Sequence, residues 1–184
     1  MIRKLPLLLG SLLLFSAISL SGALAEEATD TYLLLSVESD GVLAARDLVF
    51  TNVETGAEVW VRDLLSLGRA GSRKYMLQPV AAGEYYLSSI YPVANLNDNA
   101  PRIETEKSAG VISIQPGSIN YIGDVLFKSR ERGRGVRSSF DYEPNSNTLI
   151  AAVGAERELF QRLNVVISIA GNAPVPVDKK LLGL

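Results

Sequence analysis

From Tyr32 onward the chain is a succession of short runs rich in apolar and β-branched residues, each closed by turn residues. That pattern predicts strands joined by tight connections. Tyr32 to Glu38 is the first such run and ends in the turn Ser39-Asp40-Gly41. Leu48 to Val53, closed by Glu54-Thr55-Gly56 and resumed by Glu58 to Val61, predicts a hairpin. Tyr75 to Leu77 and Glu84 to Tyr91, on either side of Pro79 to Gly83, predict a second. Val111 to Gln115, the turn Pro116-Gly117-Ser118 and Ile119 to Phe127 predict a third. Ile103 to Glu106 is expected as a short edge strand and Val136 to Tyr142 as one more. Asp63 to Arg73, with Gly68, Gly71 and Ser72, and Asn95 to Pro101 have loop composition, the former with room for one helical turn.

After Pro144 the period changes. Leu149, Ala152, Val153, Glu156, Phe160 and Leu163 recur at spacings of three and four, one face of a helix, and Asn145 or Asn147 can cap its start. Gly154 weakens that helix by up to about 1 kcal/mol. Val165 to Ile169 predicts a last strand before Gly171, and the tail from Ala173, with Pro174 and Pro176, is expected to be extended. The expected fold is therefore mainly β: an antiparallel β-sandwich over residues 26–145, with one C-terminal helix and a tail over residues 146–184 packed on the same domain. A membrane barrel fits poorly, given the late helix and an aromatic content of 7%.

Residues 1–25 follow a different logic. Arg3 and Lys4 precede an apolar run from Leu5 to Leu20, and Ala23-Leu24-Ala25 supplies the small-residue pattern that a signal peptidase accepts. The run falls short of the ~20 residues that span a bilayer. Cleavage after Ala25 is expected, with a periplasmic or secreted product. The chain has no cysteine, so the lipoprotein route and disulfides are both closed, which favours a bacterial envelope.

Charge and chemistry narrow the function. Of the 18 Lys and Arg, two lie in the leader; the remaining 16 face 20 acidic residues, a net charge of −4 for the exported part. That balance argues against nucleic acid as a partner. Without histidine or cysteine there is no Ser-His-Asp or Cys-His catalysis and no ordinary zinc site. The adjacent pairs Ser72 with Lys74 and Lys107 with Ser108 lack any sign of the buried lysine a base needs. Glu104 and Glu106 are ordinary for a strand surface. No cofactor, metal or catalytic residue is expected. The run Asn95-Leu96-Asn97-Asp98-Asn99, with Glu106 beyond it, matches a calcium loop only loosely, because its first position is Asn and the glycine position is Ala100.

Two segments carry a family resemblance. Met76-Leu77-Gln78-Pro79-Val80-Ala81-Ala82-Gly83-Glu84-Tyr85-Tyr86-Leu87 resembles the hairpin of transthyretin-like and carboxypeptidase-regulatory-like sandwiches. Ile114-Gln115-Pro116-Gly117-Ser118-Ile119-Asn120-Tyr121-Ile122-Gly123-Asp124 is similar to a P-G-x-x-x-Y-I-G-D segment of small exported bacterial proteins of unknown function. The resemblance spans about residues 32–128 and implies a transthyretin-like or immunoglobulin-like sandwich, but no activity. Many such proteins look like lipoproteins, and this chain lacks the cysteine. Physically, Gly83 and Gly117 sit where tight connections need positive φ or close approach. Tyr85 and Tyr121 can each lay a ring on the core and return a hydroxyl to the corner backbone. Asp124 is expected to satisfy backbone donors at a strand end, and Trp60 to be a core residue rather than a sugar platform.

The sharpest local feature is Lys128-Ser129-Arg130-Glu131-Arg132-Gly133-Arg134-Gly135-Val136-Arg137, where Lys128, Arg130, Arg132, Arg134 and Arg137 outnumber one acid. It is expected to be a flexible basic loop. Three functions remain in order: a non-enzymatic binding or structural module for another envelope protein; a binder of anionic lipid, lipopolysaccharide or glycan through this loop; and a hydrolase built on paired carboxylates.

Overall fold

The computed structural model describes residues 30–67, 74–95 and 98–184, so the expected signal segment, residues 1–25, lies outside the described residues, as do Ser72 and Asn97. The strands are β1 (Tyr32–Gly41), β2 (Ala44–Asn52), β3 (Glu58–Val61), β4 (Met76–Pro79), β5 (Gly83–Asn95), β6 (Asp98–Asn99), β7 (Ile103–Glu104), β8 (Ile112–Ile114), β9 (Ser118–Arg132) and β10 (Gly135–Glu143). Helices α1 (Ser146–Ala155) and α2 (Arg157–Arg162) follow, then β11 (Asn164–Ile167) and β12 (Val175–Pro176). Among the described residues these strands form two six-stranded sheets. One is ordered β12-β11-β9-β1-β4 with β10 also on β9; the other is β3-β2-β5-β6 with β7 and β8 also on β5.

The mainly β composition and the two sheets agree with expectation; the pairing differs in three ways. Only the first predicted hairpin exists, with Leu48 opposite Val61. The second does not: β4 pairs with β1 and β5 with β2, so Pro79 to Gly83 crosses from one sheet to the other. The third fails in the same way, since β8 pairs with β5 while β9 belongs to the opposite sheet. A tight turn between two strand-like runs fixes a change of direction, not the partner. Nor is the first sheet purely antiparallel, because β9 runs parallel to both β1 and β11. Parallel neighbours need long crossovers; the second sheet supplies one and the two helices the other.

This topology buries the first part of β1 and of β9 on both faces. Leu33 and Leu35 face a core shared by the two sheets, with Phe50, Leu87, Ile90, Ile112, Val125 and Phe127. Leu34 points the other way, into a second core with Ile119, Tyr121, Ala152, Val153, Phe160 and Val165. The run of three leucines thus reflects a strand covered on both sides, each fully buried side chain contributing ~1.5–3 kcal/mol. The second core holds residues 146–184 against the outer face of the first sheet. The helical stretch is two pieces, not one: Glu156 (φ −117°, ψ 35°) interrupts it, and Phe160 of α2 still reaches the sheet.

Candidate functional site

Strand β9 positions most of the residues singled out in the sequence. Its pairing with β1 shifts between Leu34 opposite Tyr121 and Ser36 opposite Asp124, so β9 carries an extra residue there. Gly123 takes φ 89° in this bulge, and a Cβ on it would lie 3.1 Å from the Glu143 carbonyl oxygen. The bulge turns Tyr121 and Asp124 to the same side, toward α1. The Tyr121 hydroxyl donates to Asp124 Oδ1 (2.9 Å), while Asn145 Nδ2 (2.8 Å) and Thr148 Oγ1 (2.9 Å) donate to Oδ2. The Asn145 backbone N–H donates to the Tyr121 hydroxyl (2.9 Å), and Asn145 Oδ1 caps α1 by accepting from the Asn147 N–H. Asp124 therefore sits in mid-strand and serves side-chain donors, not backbone groups at a strand end. Burial, with the Asp124 charge beside it, pushes the Tyr121 hydroxyl well above the ordinary tyrosine range. Every oxygen of this carboxylate is occupied, so the cluster is a structural lock between β9 and α1.

The other corner residues have definite work. The Tyr85 hydroxyl donates to the Ala81 carbonyl at 3.0 Å. Gly83 (φ 142°) leaves room for Asn52, whose Nδ2 would lie 2.8 Å from a Cβ there, and Asn52 Oδ1 accepts from the Glu54 and Thr55 N–H groups in the β2–β3 turn. Gly117 (φ 63°) makes the turn into β9, its N–H donating to Thr31 Oγ1. Sequence reasoning missed Asn120, fully buried, whose amide donates to the Gln115 carbonyl and accepts from the Gln115 N–H. The available signal was a polar side chain in an otherwise apolar run.

The basic segment is not a flexible loop. Strands β9 and β10 form a long hairpin turning at Gly133 (φ 61°) and Arg134, a two-residue connection with glycine where positive φ is needed. Arg130 lies opposite Arg137, Lys128 opposite Ser139 and Arg132 opposite Gly135. Directly opposed residues share a face, so Lys128, Arg130, Arg132 and Arg137 stand on one side, while Arg134 is at the exposed tip. The same register brings acids to that side. Asp40 is opposite Lys128 and Glu38 opposite Leu126 on β1; Asp141 and Glu143 lie opposite Leu126 and Asp124 on β10. Arg130 pairs with Asp40 at 2.5 Å and also donates to its carbonyl oxygen. That hydrogen bond and charge, with Lys128 adding to them, hold the Asp40 carboxyl below the usual range. Five cations against one acid in sequence become, in space, a face with acids toward one end and four of the cations toward the hairpin tip.

Trp60 is not in either core. It is half-buried on the outer face of the second sheet, its ring 5.1 Å from Tyr91 with the Arg62 guanidinium 4.9 Å from its centroid. Arg102 extends the row, bonding the Tyr91 hydroxyl and Glu104. These contacts already occupy the indole.

A cleft of about 420 Å³ opens at one margin of the sandwich, between β10 and the Ile103–Glu106 segment. Phe127 and Phe140 form its apolar wall, with Ile90 and Ile103, and Tyr142 lines it. The Tyr142 hydroxyl is buried without a hydrogen-bond partner, and burial alone pushes its ionisation upward. Glu104, Glu106 and Asp141 lie on the rim as exposed groups; Glu104 is paired with Arg102 at 2.6 Å, and Glu106 accepts from Ser108. A catalytic carboxyl acid needs shelter from water to hold its proton, and none of the three has it. The chain matches no protein family, no curated protein and no solved structure.

Proposed function

We propose that this chain is an exported, non-enzymatic β-sandwich of the transthyretin-like kind that binds another protein of the cell envelope. The observation that carries this reading is the β9–β10 hairpin, whose exposed face sets Lys128, Arg130, Arg132 and Arg137 in a fixed array with Glu38, Asp40, Asp141 and Glu143. A lipid or lipopolysaccharide surface presents one sign of charge and is best met by a uniformly basic patch. An array of both signs instead specifies a partner with a complementary pattern, which suits protein recognition. A rigid ladder also spares the ordering cost of a loop on binding.

The test is a crosslinking pulldown from the native envelope fraction at low and high salt. The wild-type domain should retain one dominant protein through high salt. The variant with Arg130, Arg132 and Arg134 changed to Ala should lose it while keeping its circular dichroism spectrum. Recovery of lipid alone, vanishing with salt, would refute the reading.

A further inference from the structure

Among the described residues strand β10 pairs with β9 alone, so its other edge has no strand partner, and the Tyr142 N–H donates to Asp141 Oδ1. The cleft at the sandwich margin follows that edge. It is lined by five consecutive residues, Ser138 through Tyr142. Consecutive strand side chains point to opposite faces, so a space touching all five runs along the backbone edge and not over one face. The opposing wall has the same character, with Ile103 through Glu106 lining it in sequence and β7 pairing, among the described residues, with β5 alone. Between these two strand margins Phe140 is part-exposed at the cleft, with the buried Phe127 behind it. Glu106 and Asp141 stand at the mouth, and neither has a cationic partner among the described residues.

We infer that a partner protein adds an extended segment to the free edge of β10, seating an apolar side chain on Phe140 and setting Lys or Arg against Glu106 and Asp141. The three features answer three needs of strand addition. The unpaired edge offers main-chain hydrogen bonds, the cleft takes one alternate side chain, and the acidic rim selects the charge of the flanking ones. A small amphipathic cation would use the cleft and the rim but leave the edge unused. The inference rests on the proposed protein-binding function and names where and how the partner engages.

The test uses the whole mature chain and a fluorescent seven-residue peptide of alternating Lys and Val with a central Phe. Saturable binding is expected, with slowed amide exchange over residues 138–142. A fully N-methylated peptide should not bind, a peptide with Glu in place of Lys should bind at least tenfold more weakly, and Asp141→Lys with Glu106→Lys should weaken the original peptide by a similar factor. Failure of the alternating peptide to bind, equal binding of the N-methylated peptide, or full displacement by phenethylamine would overturn the inference. The peptide comparisons on wild type stand even where the double variant is poorly folded. If the peptide fails while an envelope protein is still captured, the proposed function stands and the partner docks elsewhere; if both fail, both readings fall.

Discussion

The Tyr121 hydroxyl donates to Asp124 Oδ1 at 2.9 Å, although the two residues are three apart on one strand and would ordinarily face opposite sides of the sheet. The bulge at Gly123 brings them together, and α1 closes over the pair through Asn145 and Thr148. Asp124 is only 7% exposed, so Asp124→Ala leaves Thr148 Oγ1 and Asn145 Nδ2 without their acceptor, while the Tyr121 hydroxyl keeps only the Asn145 carbonyl oxygen at 3.2 Å. Its expected cost is about 3 kcal/mol. Asp124→Asn, which keeps one acceptor oxygen, should cost about half as much. A lower urea midpoint at unchanged slope checks both; a midpoint equal to wild type for the alanine variant contradicts the assignment.

Gly123 and Gly133 both take positive φ, but only Gly123 has a neighbour in the way, the Glu143 carbonyl. Gly133→Ala should cost about 1 kcal/mol, for backbone strain alone. Gly123→Ala should cost more, ~2 kcal/mol or above, because the β9–β10 pairing must also shift. Equal midpoints for the two variants would show that the bulge tolerates a side chain.

Two tyrosines should respond oppositely to loss of the hydroxyl. Tyr85→Phe removes the bond to the Ala81 carbonyl and should cost roughly 0.5–1.5 kcal/mol. Tyr142→Phe removes a buried hydroxyl with no partner and should be neutral or stabilising by up to about 1 kcal/mol. Thermal melts of both variants decide it, and a destabilised Tyr142→Phe would reveal a partner for that hydroxyl.

Much of this was legible in the sequence, but unevenly. Short apolar runs closed by turn residues, such as Leu48 to Val53, announced themselves, and so did the capped helix after Pro144. Partners across sheets did not: Pro116-Gly117 reads the same whether β8 and β9 pair with each other or separate into two sheets. The signs of neighbouring charges were hidden for the same reason, since Asp40 lies 90 residues from Arg130, the cation it pairs with. Asp124 was visible as a polar residue in an apolar run, but the two donors to its Oδ2 come from beyond Pro144.

Alkaline pH should unfold the protein. Tyr121 and Tyr142 ionise at higher pH in the folded chain than in the unfolded one, Tyr142 through burial and Tyr121 chiefly so. The folded state then holds more protons above pH ~10, so stability is full below that value and falls as pH rises through it. Ultraviolet titration should show at least two of the seven tyrosines ionising only as the fold is lost. All seven ionising near pH ~10 with the fold intact would contradict the burial of both hydroxyls.

The most direct measurement of the central claim places a photo-crosslinking amino acid at Ser139, opposite Lys128 on the charged hairpin face, and a control at Glu158 on α2. Irradiation in the native envelope fraction should give one protein adduct from position 139, at low and high salt alike, and none from position 158. Lipid-only adducts that disappear at high salt, or the same adducts from both positions, would contradict a protein-binding role for this face.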